Sequence, residues 1–232
     1  VEQTINETLA KIVSASPGIT CDAYCEHGAW SLEQTRNLFE EAESLGCPLR
    51  VHSDQFNSLG MTRLAVEMDA VSVDHLEAST PSDLEHLAHS KTVGVALPCS
   101  GFHTDGRYTP ARTLIDSGGA VALATNYNPG SAPTPSMPFA IYLAVHNLRM
   151  TPAEAIAATT INAAYVLRLH DLVGTIEPAK RADIQVLDTD DERELAFEFA
   201  TAGPKTVIIG GEIAHERSDI APAARQQESF DS

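Results

Sequence analysis

Apolar residues fall in short, near-continuous runs at 19–25, 49–53, 71–75, 92–97 and 120–125. Each run has strand length, and the stretches between them carry helix signals. Ser31 and Gln34 form a capping box, and Gly46 stands where the helix it opens would stop. Thr80 before Pro81, and Thr109 before Pro110, each place an N-cap ahead of a proline at the first helical position. His52 and His75 are separated by about one strand, loop, helix and loop. Strands that are apolar throughout are buried on both faces, so the pattern predicts parallel β/α units. Five such strands suit either an open parallel sheet or part of a (β/α)8 barrel. The polar residues favour the barrel: Glu26, His52, His75 and Asn126 each close a strand at its carboxyl end, where barrel enzymes place their chemistry.

Beyond the fifth strand the texture changes. Residues 127–138 form a Pro/Gly/Ser-rich loop, followed by helices, one of them opened by a capping box from Thr151 to Glu154. Residues 182–188 and 205–209 read as strands, the second turning at Gly210-Gly211 into a hairpin. From 218 to 232 the chain is polar and Ala-rich, which predicts a disordered tail. The organisation expected is a barrel portion over 1–170 and a few strands of a small second sheet over 171–217.

Composition narrows the partners. Thirty-two acidic residues against 15 basic give a formal net charge of -17, and no basic cluster offsets it. Such a surface repels phosphate backbones and anionic membranes, so neither nucleic acid nor a membrane is expected as a partner. No apolar run approaches the ~18 residues of a membrane span. Cys21, Cys25, Cys47 and Cys99 lie near apolar stretches without a CxxC, which suits free buried thiols in a reducing cytoplasm.

The chemistry-bearing positions are few. Val51-His52-Ser53-Asp54-Gln55 ends the second strand with an imidazole, a carboxylate and an amide. A strand-end histidine is either a metal ligand or a hydrogen-bonded structural residue. Val73-Asp74-His75 repeats the arrangement one unit later, so two imidazoles on adjacent strands, about 4.8 Å apart, would point into one space. Asp54 and Asp74 read as caps of the helices that follow. Asn126-Tyr127-Asn128-Pro129-Gly130 is either a site loop or an Asx turn stiffened by proline. No G-x-S-x-G elbow, Walker loop or G-x-G-x-x-G follows a strand, and no base is placed to activate Cys99 or Ser100.

The segments Asp22-Ala-Tyr-Cys-Glu26, Val51-His-Ser-Asp-Gln55, Asp74-His-Leu-Glu77, Ala122-Leu-Ala-Thr-Asn126, Asn128-Pro-Gly130 and Gly174-Thr-Ile-Glu177, in this order and spacing, resemble the imidazolonepropionase family of the amidohydrolase superfamily. The resemblance covers roughly residues 19–215. It implies a metal-bearing (β/α)8 barrel with a small β-sandwich built from both chain ends. The activity implied is opening of the ring of 4-imidazolone-5-propanoate by water, giving N-formimidoyl-L-glutamate in histidine degradation. His52 matches a metal-ligand histidine, Gln55 a substrate contact, and His75 a group that polarises the substrate carbonyl or shuttles a proton. Asn128, Gly130 and Ser131 match a loop that binds the substrate's carboxylate-bearing end. Asn126 stands where the family has a metal-binding aspartate. One zinc or iron ion is implied, as are a small-molecule substrate and a homodimer.

On this comparison the five strands are barrel strands four to eight. Strands one to three, with a His-x-His metal pair, would belong to the amino-terminal half of the same polypeptide or to another chain. The chain by itself is expected to be inactive. Asn126 is a second departure, because an amide is a neutral, weaker ligand that cannot take up a proton as carboxylate can. Two other readings stand beside the hydrolase: a metal-free relative that binds a small ligand, and another amidohydrolase such as a nucleobase deaminase.

Overall fold

The computed structural model describes residues 1–200 and 203–217. The tail expected at 218–232 lies outside the described residues. Five strands make one parallel sheet in chain order: β1 (Cys21–Cys25), β2 (Leu49–Ser53), β3 (Ser72–His75), β4 (Val93–Ala96) and β5 (Val121–Leu123). A π-helical turn at Thr4–Thr8 and helix α1 (Leu9–Ala15), which the apolar pattern did not announce, precede them. The strands are joined through α2 (Leu32–Ser44), α3 (Met61–Glu67), α4 (Pro81–Ala88), and α5 (Pro98–His103) with α6 (Ala111–Asp116).

One face of the sheet builds the core. Leu49, Val51, Val73 and Leu123 pack there with Leu38, Phe39, Leu64, Leu84 and Leu114 from the helices. The opposite face is divided. Under β4 and β5 it is a small apolar cluster of Val93, Val95, Ala122 and Val166. Under β1 and β2 it carries Asp22, Tyr24, Arg50 and His52, and these positions alternate with buried ones. Continuous apolar burial, expected for all five strands, therefore holds only for β4 and β5.

The caps at Ser31, Thr80 and Gly46 follow local chemistry. Ser31 and Gln34 exchange both capping-box hydrogen bonds, and Thr80 accepts from the Asp83 amide at the start of α4. Gly46 takes a φ of +75° just past α2, a left-handed conformation that glycine adopts without a Cβ penalty. Thr109 does not cap α6. Pro110 holds that position, and the Thr109 hydroxyl donates instead to the carbonyl of His75. A tertiary acceptor has drawn the hydroxyl away from the helix amides it would otherwise accept from.

After β5 come α7 (Met137–His146), α8 (Pro152–Thr159) and α9 (Ile161–Val166). The loop is shorter than its composition suggested, because Ser136 caps α7 and Pro138 lies in its first turn. The Thr151–Glu154 capping box forms. From α9, Asn162 donates to the Val121 carbonyl of β5. A separate antiparallel sheet contains β6 (Ile184–Val186), β7 (Thr206–Ile209) and β8 (Glu212–Glu216). Gly210 and Gly211, with φ of +62° and +89°, make the two-residue turn between the last two strands.

Candidate active site

At the carboxyl ends of β2, β3 and β5 the backbone enters the left-handed region. Asp54, His75, Leu76 and Asn126 all have positive φ, between +56° and +89°. Asp, Asn and His are the non-glycine residues found there most often, but Leu76 does not adopt it readily, at about 1–3 kcal/mol. Strand alternation alone would send His75 to the helix side with Ser53, its register partner. The φ of +89° turns it back, and its ring lies 4.3 Å from that of His52, centroid to centroid.

His52 is held between Tyr24, with ring centroids 3.8 Å apart, and His75. Its Nε2 is buried and has no hydrogen-bond partner. Burial, and then the neighbouring His75, push the imidazole down to about 3. The ring is thus neutral at physiological pH, and the Glu26 carboxylate 3.7 Å from Nε2 is a neighbour rather than an ion-pair partner. A neutral imidazole with an open nitrogen is the form in which histidine binds a metal.

Glu26 has a structural task that its position in the sequence did not reveal. Its carboxylate accepts from the amides of Gln55, Phe56 and Asn57 and from the Asn57 side chain, at 2.7–3.2 Å. The loop after β2 is therefore clamped to the end of β1. Gln55, buried, points its amide at the Ser100 hydroxyl of α5, 2.9 Å away.

Asp54 does not cap a helix. It is fully buried, and its carboxylate accepts from the hydroxyls of Ser53, Thr62 and Ser79 at 2.7–3.0 Å, tying β2 to α3 and to the loop after β3. Gly60 occupies the cap position of α3. Asp74 caps nothing either: it accepts from Ser72, and burial raises its pKa to about 6. In both cases a tertiary environment overrides the local preference of aspartate for helix starts.

Asn126 and its loop form a self-contained hydrogen-bond set. Asn128 Oδ1 accepts from the Gly130 and Ser131 amides, both at 2.8 Å, while its Nδ2 donates to the Asn126 carbonyl at 2.7 Å and to Ser131 Oγ at 2.9 Å. The Asx-turn reading describes this geometry. Asn126 Nδ2 faces Ser131 Oγ at 3.4 Å. No hydrogen bond, ion pair or ring contact joins Asn126 to His52 among the described residues. In the sheet, β3 and β4 lie between β2 and β5.

The chain thus gathers His52, His75, Glu26 and Gln55 at one place, and the loop of Asn126, Asn128, Gly130 and Ser131 follows β5. The orphaned Nε2 of His52 fits a metal ion. Among the described residues no three His, Cys, Asp or Glu side chains converge on one.

A profile of the Amidohydrolase family matches residues 2–214. The chain belongs to the amidohydrolase family. The imidazolonepropionase of Herpetosiphon aurantiacus is 44% identical over 192 residues, which is 82% of this chain and 45% of that protein. That of Solibacter usitatus is 39% identical over 219 residues, 94% of this chain and 52% of the relative. The chain therefore spans about half the length of the curated relatives it matches.

Solved structures show the same fold at low identity. A zinc-bound adenosine deaminase from Xanthomonas campestris superposes with a TM-score of 0.73 at 16% identity, covering 89% of this chain and 55% of that one. A 5-methylcytosine deaminase from Klebsiella pneumoniae with 5-fluorocytosine gives 0.75 at 17%, covering 91% and 59%. The parallel sheet is accordingly part of an amidohydrolase (β/α)8 barrel, with a separate three-stranded antiparallel sheet. In the amidohydrolase setting two carboxylates stand out: Glu26, which the sequence placed at a strand end but whose clamp is a long-range contact, and Glu77, which lies against His75 and to which the sequence attached no role. The only local signal for Glu77 was its spacing of two from that histidine.

Proposed function

We propose that this chain is the carboxyl-terminal part of an imidazolonepropionase, a hydrolase that opens the ring of 4-imidazolone-5-propanoate at a carbon–nitrogen bond. The observation that carries the reading is identity of 39–44% to relatives of that name over 82–94% of the chain. The deaminases, at 16–17%, support the barrel alone.

His52 Nε2 would hold the metal, zinc or iron, with Asn126 Oδ1 as a weak second ligand. When bound, such an ion lowers the pKa of water toward neutrality and polarises a carbonyl. His75, beside His52, either polarises the substrate carbonyl or moves a proton. Gln55, held by Glu26 and Ser100, presents an amide to the substrate ring. Asn128, Gly130 and Ser131 receive the carboxylate-bearing end of the substrate: its oxygens take over the Gly130 and Ser131 amides that Asn128 Oδ1 now holds. Aligned backbone N–H groups of this kind suit an anion on an otherwise acidic protein.

The test is loss of imidazolone absorbance with added divalent metal. The 232-residue chain alone is expected to show none. Joined to the amino-terminal half of an imidazolonepropionase and carrying Asn126→Asp, it is expected to turn over. No turnover by that protein overturns the reading. A second reading, a metal-free relative that keeps a binding cavity, is favoured by Asn126 itself. Stoichiometric zinc or iron on the joined protein with Asn126 unchanged would exclude it.

A further inference from the structure

Glu77 is buried, and nothing in the reaction as described uses it. Its Oε1 lies 3.1 Å from His75 Nδ1, with both side chains almost wholly enclosed. Its Oε2 is buried and has no hydrogen-bond partner. No lysine or arginine pairs with it among the described residues, so the imidazole is its one polar partner.

The backbone brings the two together. The left-handed pair His75-Leu76 curls the chain after β3, so that the residue two positions on returns beneath the histidine ring. The curl is bolted in place: Leu76 N donates to Ser53 O at 3.2 Å, Ala78 N to Asp54 O at 2.6 Å, and Thr109 Oγ1 to His75 O at 2.5 Å. The ring of His52 covers one side of His75. Of the two ring nitrogens of His75, Nδ1 faces a carboxyl group, and Nε2 makes no hydrogen bond among the described residues.

We infer that Glu77 is a positioning residue whose carboxyl group accepts the Nδ1 hydrogen of His75 and leaves the Nε2 lone pair facing the site. The partner of one ring nitrogen sets the tautomer, and hence the chemistry available at the other. With the proton on Nδ1, a neutral His75 cannot polarise a carbonyl through Nε2, because it has no hydrogen there to donate. It can only accept a proton at Nε2, and the resulting imidazolium lies against the Glu77 carboxylate. The inference thus deepens the proposed function by choosing between its two roles for His75. It rests on that reading for the reaction served, not for the tautomer.

The test needs no turnover, so it fails or succeeds apart from the hydrolase assay. The chain is labelled with 15N-histidine, and long-range proton–nitrogen correlations are recorded from pH 6 to 10, with His75→Asn used to assign the His75 signals. The expected result is a His75 ring with a pyrrole-type Nδ1 and a pyridine-type Nε2. In Glu77→Leu the order of the two nitrogen shifts is expected to reverse, toward the Nε2–H tautomer. A neutral His75 protonated on Nε2 in the unmodified chain would overturn the inference, since Glu77 would then be the donor. An unchanged tautomer in Glu77→Leu would also overturn it. If that variant does not fold, the unmodified chain still decides.

Discussion

Asp54 shows how much a single side chain holds in this molecule. Three hydroxyls from β2, from α3 and from the loop after β3 all donate to it, and the residue is fully buried. Asp54→Ala leaves three buried hydroxyls without their acceptor and forces a Cβ-only side chain into a φ of +57°. At ~1.5–3 kcal/mol for a hydrogen bond to a charged group, with non-additivity, the loss expected is about 3–5 kcal/mol, read as a drop in the urea midpoint. Asn126→Asp is the opposite case. Aspartate tolerates the same left-handed backbone, and its carboxylate can accept from Ser131, so stability is expected to change by no more than about 0.5 kcal/mol in the same measurement. His52 and His75 could be picked out by residue type and strand-end position. The φ that turns His75 toward His52 could not, because it depends on the contacts of Thr109, Ser53 and Asp54 around it.

At the scale of elements, the packing of β4 and the join between α6 and α8 make separate predictions. A Cβ at Gly94 would lie 2.6 Å from Leu114 and 2.9 Å from Leu76, both at the ends of core side chains. Gly94→Ala is therefore expected to destabilise by about 1–3 kcal/mol through overpacking, checked by thermal or urea unfolding. Arg112 of α6 grips Glu154 of α8 through two parallel bonds of 2.9 and 3.0 Å. That contact holds the Glu154 carboxyl down to about 2, below its ordinary 4.5. A depressed carboxylate pKa stabilises the fold at pH values above the unfolded-state pKa and ceases to do so as pH falls through the folded one. The pair is partly exposed, so its contribution is about 1 kcal/mol or less. Arg112→Gln should lower the urea midpoint at pH 6, and the difference from the unmodified chain should vanish between pH 4.5 and 2. The capping boxes at Ser31 and Thr151 were legible because donor and acceptor are three residues apart. The misreadings at Thr109, Asp54 and Asp74 share one cause: each side chain found a partner distant in sequence or outside the helix start.

Across the whole molecule, protection is uneven. β2 and β3 are paired on both sides, whereas among the described residues β1 and β5 each have one strand neighbour in the sheet, with Trp30 bridging the β1 edge at Cys25 and Asn162 covering part of the β5 edge. β8 is exposed along its full length. Hydrogen exchange should accordingly be slowest in the amides of β2 and β3 and fastest in β8, with β1 between them. Mass spectrometry of exchanged peptides checks the order, and protection of β8 equal to that of β3 would contradict it.

What the sequence by itself determined were the things that depend on local spacing. These are the five strands and most of the helices between them, the turn at Gly210-Gly211, the strand-end histidines, and a motif order specific enough to point to a family. What only the tertiary structure decided was which groups meet. Glu26 clamps a loop 29 positions away, Glu77 meets His75, Asn128 satisfies its own loop, and Asn126 faces Ser131. The reason is physical: strand and helix periods are set by neighbours along the chain, whereas a buried polar group takes whichever partner the assembled sheet presents to it.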